Sequence, residues 1–239
     1  MDNATQRICA RVVEQHKKDR NVLGILLFGS AARNKLDRYS DIDIYVLLRK
    51  KGKLSRSNFI VGARRVDVIF DAIQETKKYL NTENGNLRRI TSHMLAHGKI
   101  LFQRGDYLKR FLFIAQRNLR SKTKLENSAV LMHKYSIDDF FGEVQRDTRN
   151  NDSVAFGLDS QLLMGNIIEL FLRSKGEYLR QPNEMRETLR KLDKKFSREI
   201  ESFYETGDIK RKGRILAGLV RRVYKISGGA LPKRWSLAD

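Results

Sequence analysis

The hydrophobic pattern of this 239-residue chain changes near residue 105. Before that point, short apolar runs are separated by Gly, Asn and charged residues, a pattern typical of strands in a small sheet. After it, apolar residues recur at spacings of three and four over long stretches, as in amphipathic helices. We therefore predict an α+β fold with two domains, a mixed-sheet domain over 1–105 and a helical bundle over 106–239.

The same periodicities predict the individual elements. In the first domain we expect helices over 5–19, 72–80 and 87–97, strands over 22–28, 42–48 and 99–103, and a strand pair formed by 59–61 and 65–70. In the second domain we expect helices over 107–119, 126–146, 154–174, 184–204 and 209–226.

The chain carries a formal net charge of +20. Such an excess favours polyanionic partners such as RNA, DNA or nucleotide phosphates, and it counts against a polycationic substrate. A solvated surface rich in Lys and Arg would give the same number, so nucleic acid is a possible partner rather than an implied one. The sequence gives no indication of oligomeric state.

The localisation is predicted from the lack of long apolar segments and from the single cysteine. No uninterrupted apolar run approaches the roughly 20 residues that span a bilayer, and the N-terminus lacks the apolar core of a signal peptide. The single Cys9 cannot form an internal disulfide, which agrees with a reducing compartment. We expect a cytoplasmic protein with no membrane partner.

The clearest motif is Gly29-Ser30, ten intervening residues, and then Asp41-Ile42-Asp43. Gly29 follows a predicted strand, where a residue without a Cβ lets the backbone turn and approach a phosphate. Ser30 and the amides after it can donate hydrogen bonds to phosphate oxygens. Arg33 adds a cation one turn later. Gly29, Ser30, Arg33 and Ser40 are the predicted nucleotide-binding residues.

Asp41 and Asp43 are two residues apart at the head of a predicted strand, so their side chains leave the same face. Paired carboxylates are ligands that suit Mg²⁺, which also shares phosphate oxygens with a nucleotide. A third carboxylate on a neighbouring strand would complete a two-metal site. Asp67 in Arg64–Phe70 fits that role, and Asp71 on the same alternating face is its nearest rival.

The segments LLFGSAARNKLDRYSDIDIYVLL and RRVDVIF resemble the signature of the polymerase-β nucleotidyltransferase superfamily, and the resemblance covers roughly residues 22–71. The resemblance implies an enzyme in which Ser30 binds a triphosphate, Asp41 and Asp43 bind two Mg²⁺ ions, and Asp67 both binds metal and activates the acceptor. It implies an NTP co-substrate such as ATP. Residues 1–105 would then be the catalytic domain and 106–239 the substrate-binding domain.

The acceptor is less constrained. The helical half resembles, more loosely, the bundle of the kanamycin and lincosamide nucleotidyltransferases, which favours a hydroxyl group on a small molecule. Transfer to RNA or to a protein is the alternative, as is an inactive module that binds nucleotide or RNA. A carboxylate of the helical half could serve as a base, and the candidates are Asp138, Asp139, Glu143, Asp152 and Asp159.

Overall fold

A computed structural model describes residues 2–237 and divides the chain into two compact units, Met1–Ser121 and Lys122–Asp239. The first is mixed α/β and the second is helical, which confirms the predicted α+β class. The elements of the first unit are α1 (Asn3–His16), β1 (Val22–Phe28), α2 (Gly29–Ala32), β2 (Ile42–Leu48), β3 (Arg56–Val61), β4 (Arg64–Ala72), α3 (Ile73–Glu83), α4 (Ile90–Ala96), β5 (Lys99–Gln103) and α5 (Tyr107–Arg120).

The five strands form one mixed sheet in the order β3-β4-β2-β1-β5. Strands β2 and β4 are parallel, and the other neighbouring pairs are antiparallel. The predicted bounds of β1, β2 and β5 are confirmed, since each apolar run is flanked by turn residues. The expected strand pair is also present as β3 and β4, joined at Gly62 and Ala63.

Side chains alternate between two cores on opposite faces of the sheet. On one face, Ile42, Ile44 and Val46 of β2 pack with residues of α1. On the other face, Tyr45 and Leu47 pack with residues of α3, α4 and α5. Because both faces are buried along β2, the strand is a nearly continuous apolar run, as expected for a central strand with a parallel neighbour.

Helix α5 belongs to the first unit, so the boundary between the units lies after Ser121 rather than after the predicted residue 105. Leu108 and Phe111 of α5 are buried in the core beneath the sheet. Gly24 of β1 permits this packing, because a Cβ there would lie 2.4 Å from a methyl carbon of Leu108. Helical periodicity in the sequence does not show whether a helix packs in the core of the first unit or of the second.

A buried arginine fixes the C-terminal end of α5. Arg89 is 2% exposed, and its guanidinium donates to the carbonyl oxygens of Asn86 at 2.7 Å, of Ser121 at 2.9 Å, and of Asn118. The Asn118 side chain in turn donates to the Leu80 carbonyl at 2.7 Å. These bonds satisfy carbonyls that the end of a helix would otherwise leave without donors.

The second unit consists of α6 (Asn127–Asn150), α7 (Ser153–Ser174), α8 (Pro182–Leu192), α9 (Lys194–Glu205) and α10 (Ile209–Ile226). Helix α7 packs against α6 and α10, and its Phe171 ring stacks on Phe196 of α9 with centroids 3.9 Å apart. By length and composition alone α7 could cross a membrane. Its inner side, including Leu163 and Ile167, is instead part of the core of this unit.

The prediction of one helix over 184–204 is wrong, because the chain breaks at Asp193 between α8 and α9. The Asp193 carboxylate accepts hydrogen bonds from the backbone of Lys195 and Phe196, both at 3.0 Å. It thus caps α9, a role for which aspartate is strongly preferred. The apolar period continues across the break, so periodicity did not reveal it.

We expect Arg89→Ala to destabilise the first unit by about 3 kcal/mol, because the carbonyls of Asn86, Asn118 and Ser121 lose a buried, charged donor. Hydrogen–deuterium exchange should show faster exchange in peptides from α4 and α5. Lys78→Ala, on the exposed side of α3, is the control and should leave exchange unchanged. Equal exchange in the two variants would mean that Arg89 does not hold α5.

Candidate functional site

The parallel pairing of β2 and β4 places two aspartates side by side. Asp43 is directly opposite Asp67 in the register, and both strands begin at this end of the sheet. Asp43 is half-buried, whereas Asp67 is 5% exposed. Asp41 lies two residues before Asp43, immediately ahead of β2. The structure thus sets Asp43 beside Asp67, with Asp41 next to the start of the same strand.

Gly29 forms the turn that faces Asp43. It follows Phe28, which pairs with Asp43 across β1 and β2, and its φ is +69°. A Cβ at this position would lie 2.1 Å from Oδ2 of Asp43. Glycine is therefore required for two reasons, a left-handed backbone and the close approach of a carboxylate.

The proximity of the carboxylates changes the acidity of Asp43. Burial, followed by the negative charges of Asp67 and Asp41, raises the pKa of Asp43 to about 6, although Arg56 opposes the shift. Like charges held together disfavour ionisation of one member, as in other paired-carboxylate sites. A divalent cation bound there would remove this repulsion, so the donor set fits Mg²⁺, a hard ion that prefers carboxylate oxygens.

Arg56 was not anticipated from the sequence. Its Nε donates to Oδ1 of Asp67 at 2.8 Å, and its second guanidinium nitrogen donates to Oδ2 at 2.6 Å. This bidentate pair lowers the pKa of Asp67. In the β3–β4 register Asn58 is opposite Asp67, so Arg56 reaches Asp67 diagonally, two residues along the strand.

In residues 2–237 no group of three or more His, Cys, Asp or Glu side chains is arranged to hold a metal ion, and both oxygens of Asp67 accept from Arg56. Arg56 is the cation at Asp67 in this arrangement. Its side chain is 67% exposed, whereas that of Asp67 is 8% exposed. The arginine can therefore turn into solvent, but the buried carboxylate would then need another cation as its partner.

The remaining predicted nucleotide-binding residues lie in the segment between β1 and β2. Ser30 is half-buried in the four-residue α2, and Arg33 follows that helix. The Ser40 hydroxyl donates to the Asp37 carboxylate at 2.8 Å. The same carboxylate accepts from the Tyr39 backbone N–H. Ser40 therefore supports the shape of this loop, and its contact with a nucleotide stays a prediction.

Asp71 lies apart from the site. It pairs with Leu47 near the other end of β2, whereas Asp67 pairs with Asp43. Asp71 lies four positions after Asp67 on β4, which corresponds to a distance of about 13 Å along the strand. Burial raises the pKa of Asp71, and the groups that also influence it are Tyr45, Glu75 and Lys51, not the carboxylates of the site. Of the two rivals, only Asp67 adjoins Asp43.

Several carboxylates that the sequence offered from the helical half have local partners. Asp138 accepts from the Tyr224 hydroxyl, Glu143 pairs with Arg146 at 2.6 Å, and Asp152 caps α7. These contacts explain the presence of the three residues without a catalytic role.

The first unit is similar to a known protein family. Residues 11–107 match the family model described as polymerase beta, nucleotidyltransferase, and this range contains all five strands and the three aspartates. A solved nucleotidyltransferase-like protein from Exiguobacterium sibiricum 255-15 is 17% identical, with a TM-score of 0.48, over 93% of this chain and 76% of that chain. No curated protein matches the chain.

Gly29→Ala should disrupt the site more than Gly62→Ala, although both glycines have a positive φ. A Cβ at Gly62 meets nothing within 4 Å, so this control bears only the backbone strain of about 1 kcal/mol. Gly29→Ala adds the collision with Asp43 and should lose about 3 kcal/mol. Thermal unfolding measures both, and equal losses would contradict the close approach at Asp43.

The raised pKa of Asp43 gives a stability trend with a definite sign. The folded state favours the neutral acid, so this contribution is complete below pH about 4 and is lost as the pH rises through about 6. Asp43→Asn should therefore stabilise the metal-free protein at about pH 8, by an order of 1–2 kcal/mol after allowance for solvent screening, and less near pH 4.

Thermal unfolding in a chelator at the two pH values tests this trend. Asp37→Asn is the control of opposite sign, because hydrogen bonds from Ser40 and Tyr39 lower the pKa of Asp37. A gain from Asp43→Asn that is the same at both pH values would show that Asp43 ionises normally.

Proposed function

We propose, since residues 11–107 form a polymerase-β-type nucleotidyltransferase domain, that the protein transfers a nucleoside monophosphate from an NTP to a hydroxyl acceptor in a Mg²⁺-dependent reaction. The observation that carries the proposal is the register of β2 and β4, which sets Asp43 beside Asp67 with Asp41 two residues away. Nucleotidyl transfer needs clustered carboxylates of this kind next to a phosphate-binding turn.

Asp41 and Asp43 would hold Mg²⁺, joined by Asp67 once Arg56 has turned away. The bound ions supply Lewis-acid stabilisation of charge on the triphosphate and on the attacking oxygen. Gly29 lets the Asp43 carboxylate approach the turn closely, and the Ser30 hydroxyl can donate to a phosphate oxygen. Each of these residues thus binds or orients the nucleotide.

Asp67 would accept the proton of the acceptor hydroxyl. Arg56 lowers the pKa of Asp67 and keeps the carboxylate ionised, but the same contact weakens it as a base, so the proton transfer requires Arg56 to have turned away. In the proposed reaction the acceptor hydroxyl attacks the α-phosphorus, its proton passes to Asp67, and the bond to the β-phosphate oxygen breaks. The products are the nucleotidylated acceptor and pyrophosphate.

Two acceptor classes follow from different observations. The loose resemblance of the helical half to antibiotic nucleotidyltransferases favours a hydroxyl group on a small molecule. The net charge of +20 favours an RNA end. We propose a small molecule as the first acceptor class to test. We also propose that the protein is cytoplasmic.

The test is incorporation of label from α-labelled NTPs, with Mg²⁺, into a pool of small hydroxyl compounds and into total RNA. Asp41→Asn, Asp43→Asn and Asp67→Asn should each reduce incorporation by at least about 100-fold, because each removes a proposed metal ligand. Asp71→Asn is the matched control, on the same strand as Asp67 but outside the site, and should retain activity.

The pool that takes up label identifies the acceptor class. Label in neither pool, with NTP binding that is equal in Asp43→Asn and the unchanged protein, would contradict the enzymatic proposal. That result would favour a module that binds nucleotide without transferring it.

A further inference from the structure

Helix α10 of the helical unit is unusually basic. Between Ile209 and Ile226 it contains seven Lys or Arg residues and no Asp or Glu. Two of the cations have partners within the unit. Arg222 pairs with Asp193 at 2.7 Å and with Glu199 at 3.6 Å, and the Lys212 ammonium lies 5.2 Å from the centre of the Phe203 ring. These two residues stabilise the packing of α10 on α9.

The other five cations form what we call the basic stripe: Lys210, Arg211, Arg214, Arg221 and Lys225. All five are exposed, and within residues 2–237 none of their side chains forms an ion pair. At 100° per residue they fall within an arc of about 100°. From Lys210 to Lys225 the stripe is about 22 Å long.

Small residues lie in the middle of the stripe. Ala217 and Gly218 project little above the helix, so a chain of phosphates could approach α10 between the two groups of cations. Four apolar side chains of α10 are buried in the unit, namely Leu216, Leu219, Val220 and Val223, and Ile226 at its end is 37% exposed. A helix that lies on a membrane needs an exposed apolar face to insert, and α10 does not offer one.

Two exposed aromatic rings lie near the C-terminal end of the stripe. Trp235 is 36% exposed and Tyr135 is 47% exposed, and their ring centres are 5.7 Å apart. Lys134, the neighbour of Tyr135 on α6, donates to the carbonyl of Ser227, the residue that ends α10. Tyr135 and Trp235 therefore lie toward the C-terminal end of α10.

We propose that the basic stripe and the Tyr135–Trp235 pair form a binding surface for a single-stranded polynucleotide. The stripe would neutralise successive phosphates, and the aromatic rings would stack on unpaired bases. RNA and single-stranded DNA share this chemistry. The surface uses no residue of the carboxylate site, so the inference does not depend on the proposed transfer reaction.

The experiment is fluorescence anisotropy of unstructured labelled oligonucleotides, RNA and DNA in separate arms, with the full chain between about 50 and 200 mM KCl. Five phosphate contacts predict a slope of log K against log salt of about −3.5. Lys210→Gln/Arg221→Gln/Lys225→Gln should reduce the slope to about −1.4 and weaken binding by about tenfold or more.

Lys194→Gln/Lys195→Gln/Arg198→Gln is the matched control, because it removes the same types and number of exposed cations from α9. It should bind like the unchanged protein. Equal losses in the two triple variants would overturn the proposal, because binding would then follow overall charge. Tighter binding in one arm would show which polynucleotide the surface prefers.

Stacking has a direct readout, because Trp235 is the chain's only tryptophan. Saturating oligonucleotide should quench its fluorescence, whereas polyglutamate should not. Unchanged fluorescence with bound oligonucleotide would overturn the role of the aromatic pair. Binding to phosphatidylserine vesicles or polyglutamate as tight as to the oligonucleotides would overturn the assignment to nucleic acid.

Discussion

The parallel register of β2 with β4 is the constraint on which the candidate site depends. Because Asp43 is opposite Asp67, the site cannot form unless the two strands align residue for residue. The alignment is secured by the core, since Ile42, Ile44 and Val66 share one buried face. A slip of one residue would carry apolar side chains out of that core. The packing that stabilises the sheet therefore also places the carboxylates.

Without a bound metal ion, the negative charges of the clustered aspartates are only partly neutralised. Burial and like charges oppose ionisation of Asp43, whereas Arg56 pairs with Asp67 and favours its ionised form. The two neighbouring carboxylates thus have different proton affinities because only one has a cationic partner. An exposed arginine on a buried carboxylate is a replaceable partner, so the arrangement is compatible with later binding of a metal ion.

The sequence predicted the parts of this site that depend on local pattern. Strand bounds followed from apolar runs and flanking turns, and the aspartates followed from a two-residue spacing on a strand. Arg56 could not be found in this way, because its contact depends on how β3 is staggered against β4. The sequence preferred Asp67 to Asp71, and the register shows the geometric difference between them, since only Asp67 is opposite Asp43. The helix break at Asp193, unlike the contact of Arg56, has a local signal in the sequence, because an aspartate before a helical run is a recognisable N-cap.

The excess positive charge is not distributed evenly over the helical unit. On α8, Arg186 and Arg190 share the carboxylate of Glu201, and Lys191 pairs with Glu187. These pairs fit a solvated surface that needs no partner. Helix α10 lacks any carboxylate, so that explanation does not extend to the basic stripe. Repulsion among five unpaired cations on one helix face opposes folding, and a bound polyanion would remove it. The interpretation of charge as a binding signal therefore applies to α10 in particular.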